Sequence, residues 1–414
     1  MKRIVLSCFF VVSTFVAFGQ TSTLTPEQKI ADFEYFYEVL KENYPLLHVN
    51  KRLNGVDWLG NQNQYKEKLS QTKTDSAYIY TWEQIIDDLN DGHASLSVTQ
   101  WYPFYLKAYK KLTVDDGIKR LQPWVDVLEQ AEKKASYWSA LLEEVEEEQS
   151  TEDNTQIEEK PKANVEFQII DNDIAVMQIR TFSTMMIKKD SAKIADFYIS
   201  INHCRYLVID IQENSGGDWK YWRDNIVTPL LKDTITYNVY GVIREGVENR
   251  KFYSDFFEEA KYLTIEDKQR NMPPELFSEN YYIYEYRDTI FPSEKSADFT
   301  GQIFLATSDM VFSSSEAFAG VCKATGFATI IGEQTGGDGL GGSDPIIVKL
   351  PESGILITLP VRVGLNSDGS FNPETKTLPD IEIKAANSTD RLNKIIEYIK
   401  KLNYQQLLYK WFVI

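Results

Sequence analysis

The chain has 414 residues, 43% of them hydrophobic and 25% charged, a balance typical of a globular protein with a sizeable core. Its 44 basic and 61 acidic residues leave a formal net charge of −17, which argues against nucleic acid or another polyanion as the main partner. After the apolar stretch at the N-terminus, no segment approaches the roughly 20 apolar residues that a membrane span needs.

The N-terminus has the pattern of a cleaved secretory signal. Residues 1–19 begin with two basic residues, continue through an apolar stretch and end in small residues at Ala17 and Gly19. We expect cleavage before Gln20 and export to the periplasm, cell envelope or surroundings of a bacterium. Cys8 lies inside the apolar stretch rather than after it, so a lipoprotein is not expected.

Helical spacing dominates the next part of the chain. Thr25 and Gln28 form a capping-box pattern before apolar residues that recur at helical spacing up to Pro45. A second helix is predicted to start at Thr81 and to stop at the Asp-Gly step before His93. His93 follows on the connection into residues 95–98, and residues 20–100 are predicted to form an N-terminal helical subdomain that contributes His93.

Residues 101–163 differ in character, because an aromatic and amphipathic stretch gives way to a run of acidic residues over 143–159. Such a run is typical of a solvated linker or a fraying helix end, and we interpret 101–163 as a charged insert or linker. The run lacks the glycine-centred loop of an EF-hand, so a calcium site is not assigned.

From residue 164 to the C-terminus, apolar strands alternate with helices, which predicts an α/β catalytic domain around a mixed sheet. Residues 219–300 are rich in tyrosine and less regular, and we interpret them as an excursion over the active face. The predicted elements are a strand hairpin 165–170 and 174–179, a helix ending near 201, strands 206–211, 302–306 and 329–331, a helix over 313–326, paired strands 346–350 and 355–359, and a last helix over 390–402.

Few residues are available for metal or disulfide chemistry. Once the signal is removed, Cys204 and Cys322 remain, and both fall on apolar elements, so two buried free thiols are expected. The histidines number three, His48, His93 and His203, which makes a histidine-rich zinc site improbable and places each histidine on a short list of catalytic bases.

A serine cluster at the start of the helix after strand 302–306 is the strongest chemical signal. Ser313 with Glu316 three residues later matches a capping box, which is the ordinary structural interpretation. A hydroxyl at this place also lies beside unpaired N–H groups and the positive end of the helix dipole, which favour developing negative charge. Gly216 and Gly217, at the end of strand 206–211, either form an ordinary turn or let backbone N–H groups approach a ligand closely.

Four segments in this order resemble the C-terminal processing and tricorn-type serine peptidases. They are DDLNDGHASL, YLVIDIQENSGGD, SSSEAFAGVCKATGFATIIGEQTGG and GSFNPETKTLPDIEI. The resemblance covers most of the chain outside residues 100–163 and 219–300, and it implies a ClpP/crotonase-like α/β domain. It assigns the nucleophile to Ser313, the first serine of the Ser-Ser-Ser-Glu segment.

One departure decides the subtype that the resemblance implies. Where peptidases of the Ser-Lys kind carry a lysine in the glycine loop, this chain has Asp338. The resemblance then points to the tricorn-like branch, whose histidine matches His93. A neutral imidazole is a suitable base near neutral pH.

The resemblance also implies the remaining site residues. Glu374 would orient His93, and the N–H groups of Ser314 and of Gly216 or Gly217 would form the oxyanion hole. No PDZ-like carboxylate-binding loop is recognisable between residues 94 and 163, so substrate tails are not expected to be recognised in that way. His48 and His203 match no motif and are expected to be structural.

The sequence therefore predicts an exported serine peptidase with a Ser-His-Glu site that cleaves proteins or peptides and needs no metal or organic cofactor. An extended substrate is expected to pair with a strand edge in the cleft. Two alternatives stay open at this stage: a catalytically silent relative that binds peptides or apolar ligands, as the retinoid-binding branch of the fold does, and an envelope scaffold. The oligomeric state is not predicted.

Overall fold

The computed structural model describes residues 22–152, 163–259, 271–277, 280–294, 296–342 and 344–412. The predicted signal at 1–19 and the last part of the acidic run, residues 153–159, lie outside these ranges.

The first part of the chain is helical, as predicted. The Thr25 hydroxyl accepts the N–H of Gln28, and the Gln28 side chain accepts the N–H of Thr25, so the predicted capping box starts the first helix. The helices of this region are α1 (Pro26–Asn43), α2 (Leu47–Asn54), α3 (Gln62–Ser70), α4 (Asp75–Asp87), α5 (Ser97–Gln100), α6 (Tyr102–Lys110) and α7 (Gln122–Glu152).

One local prediction in this region is wrong. Helix α4 starts at Asp75 because Thr74, not Thr81, caps it; the Thr81 hydroxyl instead donates to a carbonyl one turn back inside the helix. The error arises where polar side chains bond locally to the backbone and compete with the predicted pattern. Beyond His93, Ser95 forms a β-bridge with Thr358, and the short helix α5 follows.

Helix α7 occupies much of the segment interpreted as an insert. Its Trp124 and Trp138 are almost fully buried, and their indole N–H groups donate to the carbonyls of Pro345 and Ser353. Up to residue 144, where side chains are described, this helix is therefore part of the core that joins the helical region to the later strands.

The rest of the chain forms three sheets with helices packed around them. Its elements in order are β1 (Val165–Ile170), β2 (Ile174–Ile179), α8 (Thr184–Ser200), β3 (Tyr206–Asp210), α9 (Trp219–Trp222), α10 (Thr228–Leu230), β4 (Ile235–Arg244), α11 (Val247–Phe252), α12 (Ser254–Glu259), β5 (Tyr281–Ile290), β6 (Gln302–Thr307), α13 (Ser314–Thr325), β7 (Thr329–Gly332), β8 (Ile346–Lys349), β9 (Leu356–Leu359), β10 (Arg362–Leu365), α14 (Asn372–Thr375), β11 (Ile381–Glu382) and α15 (Ser388–Phe412).

The central sheet has six strands in the order β1-β2-β3-β6-β7-β11. The predicted β1–β2 hairpin is antiparallel, and all the other pairs of neighbouring strands in this sheet are parallel. The sheet is therefore mixed, which confirms the mixed α/β fold. Parallel strands place their carboxyl ends at one edge, so the ends of β3 and β6 bring the Gly-Gly segment and the serine cluster together.

Both faces of this sheet are covered. Alternate residues of β2 point to opposite faces, with Met177 in the core shared with α8 and α13, and Val176 in the core shared with α15. The central strand β3 has covered neighbours on both faces, so the run over 206–210 is fully buried, as its sequence predicted.

The tyrosine-rich region builds a second layer over the end of the sheet. Strands β4 and β5 form a long antiparallel hairpin that β10 extends to a three-stranded sheet, while β8 and β9 form a separate pair. These strands share one core with α1, α4 and α7. In the described part of the chain, no helix is both long enough and apolar enough to cross a bilayer.

Candidate active site

Ser313 occupies a sharp turn between β6 and α13. Its backbone lies at φ 54° and ψ −123°, a region that residues with a side chain rarely adopt, so the surrounding structure holds it in place. Ser313 precedes α13 but makes no capping bond in the described structure, and the predicted capping box is wrong. The Glu316 carboxylate instead accepts hydrogen bonds from Asn372 and Thr377.

The Ser313 hydroxyl faces His93. The distance from Ser313 Oγ to His93 Nε2 is 3.0 Å, although the two residues are 220 positions apart in the sequence. On the other side of the ring, His93 Nδ1 lies 2.8 Å from Asp338 Oδ2. If Nδ1–H donates to the carboxylate, Nε2 is left to accept the serine proton, which is the arrangement of a nucleophile, a base and an orienting acid.

The position of the His93 ring is determined from several directions. The ring stacks on Phe312, with centroids 4.7 Å apart, and the His93 N–H donates to Asp91 Oδ1 at 2.9 Å. The other Asp91 oxygen accepts a hydrogen bond of 2.7 Å from the Tyr44 hydroxyl. Residues of α1 and of the loop after α4 thus hold the imidazole against the serine turn.

The carboxylates around His93 change its proton affinity. Burial lowers the pKa of His93, but the hydrogen bond to Asp338 and the charges of Asp338 and Asp91 outweigh burial and raise the pKa above its ordinary value near 6.5. Burial and repulsion from Asp338 raise the pKa of Asp91 to about 6. Asp91 therefore titrates in the range where activity is usually measured, and the imidazolium form of His93 is favoured.

The structure does not bring Glu374 to His93. Both oxygens of Glu374 bond to the Arg52 guanidinium at 2.8 Å, and Arg52 also pairs with Glu275. Asp338 occupies the place next to the imidazole that the resemblance assigned to Glu374. The assignment is corrected because a bidentate ion pair already holds the glutamate on α14, whereas the glycine loop carries Asp338 directly to the ring.

The loop that carries Asp338 is pressed against the start of α13. Asp338 has φ 56°, and a Cβ built on the next residue, Gly339, would lie 2.0 Å from the Ser313 carbonyl oxygen. The Gly339 N–H donates to Asn372, the same side chain that bonds to Glu316. Glu316 therefore joins the helix to the Asp338 loop through Asn372.

The Gly-Gly segment lies beside the nucleophile, as the strand ends required. Gly216 has φ 115°, and a Cβ there would come within 3.0 Å of the Ser314 nitrogen, so only glycine allows this approach. The Gly216 N–H donates to Asn214 Oδ1 at 3.0 Å, which leaves it unsuited as an oxyanion donor. No acceptor for the N–H of Gly217 or of Ser314 is found among the residues that the structure describes.

These groups open into one large cleft of about 1490 Å³. Ser313, His93 and Asp338 line it together with Gly217, and the β4–β5 hairpin and α11–α12 supply the opposite wall. The prediction that residues 219–300 pass over the active face is confirmed for the described part of that region.

The remaining candidates lie elsewhere. His203 bonds to Asn172 Oδ1 at 2.9 Å and His48 is exposed on α2, so neither lines the cleft. Cys204 and Cys322 are buried free thiols, as predicted.

One group of side chains has ligand atoms close enough for a metal ion. Asp91, His93 and Asp338 offer atoms within 4.8 Å of one another. Both ring nitrogens of His93 are already engaged, one with Ser313 and one with Asp338, so we assign this group to proton transfer.

Sequence reasoning missed two residues of the site. Asp338 was noted only as the replacement for a lysine, although its place in a glycine loop facing the serine helix was a usable signal. Asp91 was taken as part of a helix stop, and no sequence pattern reports that its carboxylate bonds to the backbone of His93.

Solved structures share this architecture. A candidate peptidase from Parabacteroides merdae is 15% identical, with 91% of this chain and 96% of that chain covered and a TM-score of 0.53. The mature form of CPAF is 12% identical, with 91% and 96% of the two chains covered and also a TM-score of 0.53. At such identities the likeness shows that the fold is shared.

The sequence itself identifies the class. The model of peptidase family S41 matches residues 173–383, just over half of the chain and the part that holds the serine turn, the Gly-Gly segment and the Asp338 loop. The chain therefore belongs to peptidase family S41 and is a serine-type peptidase that acts on protein or peptide substrates. The resemblance to C-terminal processing and tricorn-type peptidases is confirmed at this level.

Proposed function

We propose that this peptidase hydrolyses peptide bonds with Ser313 as nucleophile, His93 as general base and Asp338 as the orienting acid. The observation that carries the proposal is the continuous hydrogen-bond chain, 3.0 Å from Ser313 to His93 and 2.8 Å from His93 to Asp338. The base lies 220 positions before the nucleophile and 245 before the acid in the sequence, and this order of contacts is the one that serine hydrolysis needs.

In the first half of the reaction, Ser313 Oγ attacks the peptide carbonyl carbon while its proton passes to His93 Nε2. Asp338 stabilises the imidazolium that forms. His93 then gives the proton to the leaving amine, and the C–N bond breaks to leave an acyl-Ser313 ester and a free amine product. In the second half, the oxygen of a water molecule attacks the acyl carbon while His93 takes a proton from that water. The ester C–O bond then breaks, the peptide acid is released, and the proton returns from His93 to Ser313 Oγ.

The oxyanion of the tetrahedral intermediate needs fixed donors. The N–H groups of Gly217 and Ser314 are suited to this task, because both residues line the cleft with Ser313 and neither N–H has another acceptor among the described residues. The Ser314 N–H is also one of the unpaired donors at the start of a helix, where the dipole favours negative charge. Gly216 allows the close approach to Ser313 and Ser314, but its own N–H is already bonded to Asn214.

A fluorophosphonate probe tests the nucleophile directly. The mature protein is expected to form a covalent adduct at Ser313 and to degrade casein, and both activities should disappear in Ser313→Ala and fall strongly in His93→Ala. Ser191→Ala, a change at an exposed serine on α8, is the matched control and should label normally. Folded protein that neither labels nor degrades casein would overturn the proposal.

Export is the second part of the proposal, and the pattern of residues 1–19 supports it. Expression of the full chain in a bacterium should yield a product outside the cytoplasm whose first residue is Gln20. N-terminal sequencing of the fractionated protein measures this, and an intact Met1 in the cytoplasmic fraction would contradict it.

A further inference from the structure

Arg362, on strand β10, is the feature of the cleft that the proposed mechanism leaves unused. It lines the same cleft as Ser313 and His93. Its guanidinium carbon lies 4.4 Å from the ring centre of Phe256, 4.8 Å from that of Tyr284 and 5.7 Å from that of Tyr253. Three aromatic rings therefore surround a cation that is itself partly buried.

The contacts of Arg362 leave most of its donors free. Its Nε donates to the Tyr284 hydroxyl at 3.3 Å, and that hydroxyl donates to the Gly341 carbonyl at 2.9 Å. The two terminal NH₂ groups have no hydrogen-bond or ion-pair partner among the described residues. A guanidinium carries five N–H donors, so the four on the terminal nitrogens of this cleft-lining residue remain available.

The other arginines of the cleft wall differ in this respect. Arg223 pairs with Asp288 at 2.8 Å, and Arg120 lies 3.6 Å from Asp344. Their charges are already matched by carboxylates. Arg362 is held among aromatic rings with no such match in the part of the chain that the structure describes, and a partly desolvated charge without a counter-charge is costly to keep.

The aromatic rings stabilise this cation in part, but they do not accept hydrogen bonds from the N–H groups at the edge of the guanidinium. Rings stacked on a guanidinium satisfy its faces and fix its plane, and they leave the in-plane N–H groups directed away from them. A preorientated fork of this kind matches the two oxygens of a carboxylate. The link from Tyr284 to Gly341 also ties the fork to the loop that carries Asp338.

We propose that Arg362 is a specificity-determining residue that binds a carboxylate of the substrate in the cleft. The proposal rests on the proposed function, because the peptide must be in the cleft that holds Ser313. Two sources offer this chemistry: the α-carboxylate at the end of a peptide, and the side chain of an aspartate or glutamate inside it. The other basic residues of the cleft wall are paired or exposed, so Arg362 is the preferred partner for a substrate carboxylate.

The test uses the mature protein and a pool of synthetic peptides, with cleavage sites read by mass spectrometry. Wild-type protein is expected to cleave at a constant distance from a carboxylate, and Arg362→Gln should lose that preference. On a peptide chosen from the cleaved set, the variant should raise KM by about ten- to a hundredfold, the usual effect of losing a hydrogen bond to a charged group. Arg362→Lys should restore the preference only in part, because it keeps the charge and loses the fork.

Two modified peptides identify the source. Amidation of the C-terminus should raise KM if the α-carboxylate is bound, whereas glutamate-to-glutamine exchange should raise it if a side chain is bound. In either case Arg362→Gln should cleave the modified and unmodified peptides equally well. Arg223→Gln, whose charge is already paired with Asp288, is the matched control and should keep the wild-type preference.

Failure of this proposal differs from failure of the proposed function. Arg362→Gln should react with the fluorophosphonate probe as fast as wild type, since the probe carries no carboxylate. Normal labelling with an unchanged cleavage pattern in Arg362→Gln would overturn the carboxylate site and leave the peptidase mechanism standing. Absence of labelling in the wild type would instead overturn the mechanism.

Discussion

At the scale of single residues, the identity of the carboxylate beside His93 matters most for the chemistry. Asp338 accepts from the imidazole, while Glu374 is bound to Arg52. The two carboxylates lie in neighbouring segments, and a sequence motif cannot distinguish them. Their contacts assign different tasks: Asp338 orients the base, and Glu374 joins α14 to α2.

We expect Asp338→Asn to lower kcat by about a thousand- to ten-thousandfold, since the amide no longer stabilises the imidazolium and favours the wrong tautomer. Steady-state kinetics on a peptide substrate measure the effect, and circular dichroism checks the fold. Glu374→Gln is the matched control and should keep kcat within a few-fold of wild type. An equal loss in both variants would contradict the assignment of the acid to Asp338.

The pH dependence follows from the raised pKa of His93. The base must be neutral to accept the serine proton, so kcat/KM should increase as pH rises through the pKa of His93, with a midpoint above 6.5. Asp91→Asn removes a negative charge that favours the imidazolium, while its oxygen can still accept the His93 N–H. The midpoint should therefore move to lower pH.

The control for this experiment is Asp87→Asn, which removes the same charge from an exposed position on α4. Its pH profile should match that of the wild type. A profile of Asp91→Asn that is unchanged, or displaced to higher pH, would contradict the electrostatic role of Asp91.

At the scale of elements, the approach of the β3 end to the start of α13 organises the site. Gly216 meets the Phe312 carbonyl and Ser314 nitrogen, and the Glu316 side chain holds the other side of the turn through Asn372 and Thr377. Ser313 directly precedes the helix at Ser314 and lines the cleft, and its hydroxyl makes no capping bond. The strained turn is thus maintained by neighbouring elements.

Gly216→Ala is expected to lower kcat by at least about a hundredfold, because a displacement near 1 Å at the nucleophile has effects of that size. The added Cβ would lie 2.8 Å from the Phe312 carbonyl oxygen. Gly326→Ala, at the left-handed end of α13, has no atom within 4 Å of the new Cβ and provides the matched change. It should cost about 1 kcal/mol of stability and leave kcat intact. Similar kcat values for the two variants would contradict the argument.

At the scale of the whole molecule, the site exists only where two cores meet. The core that contains α1, α4 and α7 positions His93, and the core between the central sheet and helices α8, α9 and α13 positions Ser313. A third, smaller core packs α15 on the opposite face of the sheet. Stability changes in that third core should therefore leave the chemistry of the cleft unaffected.

Ile395, on α15, is fully buried in this third core. Ile395→Ala is expected to lower the free energy of unfolding by about 2–5 kcal/mol, and Ile395→Val by about 0.5–1.5 kcal/mol. Denaturant titration measures both values. Below the unfolding transition, kcat should equal that of wild type, and a large fall in kcat of folded Ile395→Ala would contradict the independence of the two faces.

The elements themselves were largely predictable, because the periodicity of apolar residues reports which local structure can bury them. The hairpin of β1 and β2, the buried strand β3 and the capped helix α1 follow their patterns closely. The start of α4 did not, since a single hydroxyl bond from Thr74 to the backbone fixed the helix start earlier than the pattern indicated.

The order of motifs along the chain was enough to indicate a serine peptidase and to select Ser313 and His93, because nucleophile and base residue types are rare and their local settings are distinctive. The proposals for the acid, the oxyanion donors and Arg362 rest on the tertiary structure alone. They depend on which side chains and N–H groups are already bonded: Glu374 to Arg52, Gly216 to Asn214, and Arg362 to no carboxylate among the described residues. The Arg52 that binds Glu374 lies 322 positions away in the sequence, and a linear motif carries no record of such competition for partners.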